Sequence, residues 1–187
     1  AVWVGHFQAG LDYSLYQNGL FRTYAYPPQF NSANLSIRSF VNRGPEKVIG
    51  SRDGLFYINE ATGIVKSFVK PVLTSDLILT ICFYEGEYYI GTYGGGMMVL
   101  NPQTLSLKYF TQGDTELFQK GHIFCVKPDN RGNLWIGTSQ GLFCYNGQTK
   151  QIKNFTSTNS QLPEGNVYEV SFDSTGKGWI ATETGMC

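Results

Sequence analysis

The chain has no apolar run approaching the roughly 18 residues that a membrane helix needs, so no direct membrane insertion by this segment is expected. It also lacks a charged-then-apolar leader, and any export signal is expected to lie outside these 187 residues. Net charge is absent too, since 14 Lys and Arg balance 14 Asp and Glu. Without a basic stripe to neutralise phosphates, composition argues against nucleic acid as the main partner. Cys82, Cys125, Cys144 and Cys187 show no C-x-x-C spacing, and only His6 and His122 could join them as ligands. Neither a metal site nor a cofactor is therefore expected. Cys82, Cys125 and Cys144 lie in apolar, strand-like runs, the usual setting of a small core residue; they leave the compartment open.

Glycine and aromatic residues are abundant instead. The 22 glycines, 42% hydrophobic and 15% aromatic content describe a globular, turn-rich chain short of helix formers. Their spacing is regular. A small residue follows an apolar pair at Gly5, Gly50, Gly91, Gly137 and Ala181, in steps of 45, 41, 46 and 44. A second glycine falls at Gly10, Gly54, Gly96, Gly141 and Gly185, in steps of 44, 42, 45 and 44. Two anchors keeping one period independently define a repeat of about 44 residues.

Within a unit, "GHIFCVK", "LWIGT", "GLFCYN" and "KQIKNFT" read as four short strands separated by turn signals. A four-stranded antiparallel meander of this length is a β-propeller blade. The fold class expected is all-β, a propeller segment of about four blades over residues 1–187. Its units fall near 1–30 (partial), 34–70, 77–111, 121–156 and 165–187 (partial). At the first anchor the two preceding residues are Trp3-Val4, Val48-Ile49, Tyr89-Ile90, Trp135-Ile136 and Trp179-Ile180. Successive strand residues face opposite sides, so both faces of this strand are apolar, as stacked blades require. On the fourth strand Arg22, Lys66, Lys108 and Lys153 sit two residues before Tyr24, Phe68, Phe110 and Phe155. Basic stems over apolar surface suit an outer edge protected from pairing with other molecules. Units incomplete at both ends suggest an excerpt of a longer propeller, or an arc that associates through its raw faces.

The repeat framework is constant while the link between second and third strands changes chemistry, as when a scaffold presents loops. The ligand-contact candidates there are His6, Phe7, Arg52, Asp53, Tyr93, Gln140 and Glu183. All five links should emerge on one face. The interblade loops 26–34, 112–121 and 157–165 are expected to join them. "DNRGN" and "DSTGK" lack the full ligand pattern of a calcium loop and read as hairpin turns.

The stretch "DNRGNLWIGTSQGLFCYN" (Asp129 to Asn146) resembles the two-component regulator propeller repeat. So do "SRDGLFYINEATGIVKSF" and "TYGGGMMVLNPQTLSLKYF", although "GPEKVIG" and "YEGEYYIG" lack the D-x-x-G-N-x-W turn. The resemblance covers essentially the whole chain. It implies the periplasmic sensor region of a hybrid two-component histidine kinase of Bacteroides type, with an oligosaccharide ligand and the kinase in parts not present here. Two other classes stay open: a protein-interaction or dimerisation scaffold, and a propeller enzyme of the lyase kind using His6 or His122. A concave polar face would favour the sensor and a broad apolar one the scaffold.

Overall fold

Both faces of the second strand in each unit are apolar, and the computed structural model places a neighbouring blade against each face in the second, third and fourth units. The structure describes residues 2–6, 10–14, 21–23, 36–113 and 115–187, with side chains for 36–113 and 116–187. The first blade holds β1 (Val2–His6), β2 (Gly10–Ser14) and β3 (Phe21–Thr23). The second holds β4 (Ile37–Arg43), β5 (Glu46–Ser51), β6 (Gly54–Asn59) and β7 (Ile64–Phe68). β8 (Ile78–Tyr84), β9 (Glu87–Thr92), β10 (Met97–Leu100) and β11 (Leu107–Tyr109) form the third. After α1 (Thr115–Lys120) come β12 (Ile123–Pro128), β13 (Asn133–Thr138), β14 (Gly141–Asn146) and β15 (Ile152–Phe155), then β16 (Val167–Phe172) and β17 (Gly178–Thr182) of the fifth blade. Every sheet is an antiparallel meander in chain order, and the sheets form an open arc of propeller blades. First strands of successive blades pack on one another, β4 on β8, β8 on β12 and β12 on β16. Those strands therefore lie innermost, and the basic fourth strands lie outermost.

The core sits between blades rather than inside them. Val48 faces forward into a cluster with Ile78, Tyr88 and Ile90 of the third blade. Ile49, its neighbour, faces back with Ile37, Phe56 and Ile58. The alternation repeats one blade on, where Tyr89 joins Val126, Ile136 and Tyr145 of the fourth blade. In the fourth, Trp135 packs forward with Val167, Val170 and Ile180. Blades meet most closely at the anchor glycine. A Cβ on Gly50 would come within 2.5 Å of Ile78 Cγ2, and one on Gly137 within 2.5 Å of Cys125 Sγ and 2.6 Å of Val167 O.

Hydrogen bonds join the same surfaces. Ile81 N–H donates to Ser39 Oγ at 2.9 Å, and Val126 N–H to Thr80 Oγ1 at 3.3 Å. The Cys125 thiol takes the Val170 N–H in the corresponding place. Burial also pushes that thiol up to about 12, so Cys125 is an inert core acceptor rather than a nucleophile. Near the other end of the strands, Tyr84 O–H donates to Gly132 O at 2.7 Å and accepts from Gly147 N–H at 2.9 Å.

The "DNRGN" turn is organised by one carboxylate. Asp129 accepts from Arg131 N–H, Asn133 N–H and Asn133 Nδ2, each at 2.8 Å, and from Trp135 Nε1 at 2.9 Å. Partial burial opposes its ionisation. The donors of Asn133, Trp135 and Arg131 outweigh that and hold the carboxyl below the usual carboxylate range. One expectation needs correction. Residues 115–120, read as loop, form α1, because Leu117 and Phe118 are fully buried under the third and fourth blades, with Glu116 in its first turn and Lys120 in its last.

Replacing Gly137 by Ala should cost about 2 kcal/mol through overpacking against backbone. At Gly132, where φ is +78° and nothing lies within 4 Å, the same change should cost only about 1 kcal/mol. Urea unfolding of both variants measures the difference, and equal losses would sink the close-approach account. Asp129→Asn should cost about 2 kcal/mol at neutral pH. Because the folded carboxyl titrates below its unfolded value, its contribution is complete above about pH 4 and disappears as pH falls through the folded value. The wild-type advantage over Asp129→Asn should thus shrink in acid; a gap independent of pH would refute the role.

Candidate functional site

In the last four units the residue following the anchor is Ser51, Thr92, Thr138 or Thr182, where the first unit has His6, and each of these hydroxyls is used inside its own hairpin. They donate to the carbonyls of Gly54, Gly96, Gly141 and Gly185 at 3.0, 2.9, 2.8 and 2.9 Å. The second glycine must turn sharply: Gly141 has φ of +107°, and a Cβ there would strike Phe155 O. This staple closes the link and leaves the residues between hydroxyl and glycine free to differ.

All the described links point the same way. Arg52 N–H donates to Ser36 O at 3.1 Å, Tyr93 N–H to Leu77 O at 3.0 Å, Ser139 N–H to His122 O at 3.3 Å and Glu183 N–H to Asn166 O at 2.9 Å. Each acceptor stands immediately before the innermost strand of its blade. Second-to-third-strand links and the entries to the innermost strands therefore share one face. The interblade segment 157–165 joins it.

Where each innermost strand begins, the ladder skips one residue. Pairing passes from Ile37 to Ser39, Ile78 to Thr80, Ile123 to Cys125 and Val167 to Glu169. The bulged residues are Arg38, Leu79, Phe124 and Tyr168. A bulge re-aims the residue it leaves unpaired, and these four are all at least partly exposed. Two of them extend a row of rings across three blades. Tyr93 lies 4.0 Å from His122 between ring centroids, His122 6.2 Å from Phe124, and Phe124 5.1 Å from Tyr168. Tyr93 and Tyr168 are 50% and 44% exposed, so the row ends in two open ring faces. Among the described residues, His122 Nδ1 is the one buried side-chain nitrogen or oxygen without a hydrogen-bond partner.

Beside the row, between the fourth and fifth blades, lies a cavity of about 280 Å³ lined by Gln140, Thr156, Leu162, Glu164 and Asn166 among others. Asn166 Nδ2 bridges the two features, donating to Tyr168 Oη at 3.2 Å and to Glu183 Oε2 at 3.0 Å. Of the residues singled out in sequence, Tyr93 enters the aromatic row, Gln140 lines the cavity and Glu183 stands against its wall. Arg52 and Asp53 are exposed on the same face, two blades from the cavity. The side chain of His6 and all of Phe7 lie outside the described residues. Sequence reasoning passed over the bulged positions and Asn166. The available signal was a position one residue into an otherwise apolar strand that reads Arg, Leu, Phe and Tyr in successive units. Among the described residues no cluster of His, Cys, Asp or Glu could hold a metal ion, and no helix is long and apolar enough to cross a membrane.

Residues 118–140 match the family model for the two component regulator propeller. The chain is similar to the solved extracellular domain assigned to the hybrid two component system BT3049 of B. thetaiotaomicron, at 28% identity and a TM-score of 0.73. That likeness covers 98% of this chain and 25% of the other. The extracellular domain of BT4673 from the same organism gives a TM-score of 0.75 at 19% identity, over 96% of this chain and 23% of that one. The WD40 beta propeller domain of Doa1 follows the fold at 14% identity, with a TM-score of 0.59 over 81% of this chain and 49% of its own. The chain thus spans about a quarter of the two Bacteroides structures. None of the curated proteins is significantly similar to it.

Proposed function

We propose that this chain, which carries the two-component regulator propeller repeat, is a non-catalytic ligand-sensing module in the extracytoplasmic, periplasmic part of a hybrid two-component sensor histidine kinase. Its ligand is an oligosaccharide, and the kinase resides outside this segment. The observation that carries the reading is the open row of Tyr93, His122, Phe124 and Tyr168 beside a cavity lined by hydroxyl, amide and carboxylate groups. Aromatic faces pack against the apolar faces of sugar rings, while fixed polar groups orient the hydroxyls. Blades with apolar surfaces on both sides hold that face rigid, so ligand contacts spanning several blades can be read as one event. His122 is wedged between Tyr93 and Phe124, the place of a packing ring rather than of a base facing substrate.

One surface favours an additional association. Trp179 occupies the forward-facing position that Val48, Tyr89 and Trp135 fill in earlier blades, yet it is 42% exposed. We propose that a further blade, from the parent protein or from a second copy, covers it.

Glycan-array screening followed by calorimetry should find a saccharide ligand, for this chain or for the ectodomain that contains it. Tyr93→Ala and Tyr168→Ala should each weaken that ligand about tenfold, the equivalent of roughly 1.4 kcal/mol. Absence of saccharide binding in both forms would defeat the proposal. Light scattering after gel filtration should give a dimer or larger species for the 187-residue chain. A stable monomer at all concentrations would show that the Trp179 surface needs no cover.

A further inference from the structure

The cavity between the fourth and fifth blades carries a charge pattern that a general preference for sugars does not specify. Its polar lining comes from the hydroxyls of Ser139, Thr156 and Ser157, the amides of Gln140 and Asn166, and the carboxylate of Glu164. No Lys, Arg or His lines it. Behind Asn166 stands a second carboxylate, because Glu183 Oε2 accepts from both Asn166 N–H and Asn166 Nδ2. The segment carrying Glu164 is held against that wall by Thr184, whose hydroxyl donates to Glu164 O at 2.5 Å. Leu162 anchors the same segment below, in a cluster with Leu142, Val167 and Val170. Two acidic residues therefore stand at one cavity, Glu183 with its carboxylate held by Asn166 and Glu164 on a segment whose backbone is held by Thr184. Among the described residues the bases of this face lie elsewhere: Arg38 and Arg52 belong to the second blade, Lys70 to the segment that follows it, His122 to the aromatic row, and Lys120 ends the helix on the other side of the fourth.

We infer that this cavity selects its saccharide by charge, accepting an uncharged or amine-bearing end and rejecting one that bears a carboxylate or sulfate. The inference rests on the sugar-binding reading above and assigns the ligand class within it. A hydroxyl entering the cavity can donate to Glu164 and accept from the amide of Gln140, while the Asn166 amide N–H groups stay on Tyr168 and Glu183. An ammonium gains a charge-assisted hydrogen bond in the same place. A carboxylate must give up water where no lining cation replaces it, beside a like charge at Glu164 and a second at Glu183.

The test is calorimetric titration with oligosaccharides matched in length and differing in charge: neutral, amine-bearing, and uronate or sulfated. Neutral and amine-bearing members should bind at least about tenfold more tightly than anionic ones. Glu164→Gln should narrow that gap, and Glu164→Lys should close or reverse it. Raising ionic strength should narrow it as well, since the carboxylates are only partly shielded by protein. Anionic members binding as tightly as neutral ones, or a gap unchanged in Glu164→Gln and Glu164→Lys, would overturn the charge selection while leaving the sugar reading intact. No binding by any class, in a chain whose unfolding transition is normal, would overturn the sugar reading and this inference with it.

Discussion

The closeness with which one sheet can lie on the next governs this architecture. At Gly50, Gly91 and Gly137 a single added methyl would collide with a residue of the following blade. Because that space is left empty, the innermost strands come near enough for Ser39 and Thr80 to accept N–H groups from the next sheet. The same approach encloses Val48, Ile90 and Ile136 completely. An isolated four-stranded sheet with apolar residues on both faces would be insoluble and poorly stable. Stacked, each face becomes half of a core, and burial scales with the number of junctions rather than with the size of any one unit. Outer strands need no such approach, which is why Lys66 and Lys108 are tolerated there: Lys66 lies over the Phe68 ring, and Lys108 pairs with Glu87 at 2.9 Å.

Much of this was legible in the chain because a repeat states its rules several times. The apolar pair before each anchor announced two buried faces, and the structure adds which points where: Val48 forward, Ile49 back. The "DNRGN" turn was recognisable as a turn from its composition, whereas the four donors converging on Asp129 depend on Asn133 and Trp135 folding back along β13. α1 was not legible. Six residues with one acidic and one basic end carry almost no helical signal, and Leu117 and Phe118 form it because the gap between two blades has room for them.

The candidate site was legible in its location and not in its composition. The four described links between second and third strands lie on one face, as expected of a meander with constant register. Their first residues, Ser51, Thr92, Thr138 and Thr182, are occupied in holding the turn, so their recurrence reflects geometry. Sequence spacing cannot show a bulge, since one unpaired residue shifts the period by less than the variation among units. Phe124 and Tyr168 therefore looked like ordinary strand residues, and Asn166 like a loop residue, until three-dimensional register set them beside Tyr93 and Glu183.

The hydrogen bonds running from one innermost strand to the next have a bearing on how such a chain is assembled over generations. The second, third and fourth blades offer an acceptor on their leading side at Ser39, Thr80 and Cys125, and the third, fourth and fifth a donor on their trailing side at Ile81, Val126 and Val170. These three junctions thus have the same polarity and the same rung. A gene segment encoding one repeat, duplicated or deleted in frame, leaves a seam already furnished with both halves of that bond. The unit of inheritance and the unit of stacking coincide, and the number of blades can change without any new joint having to be invented.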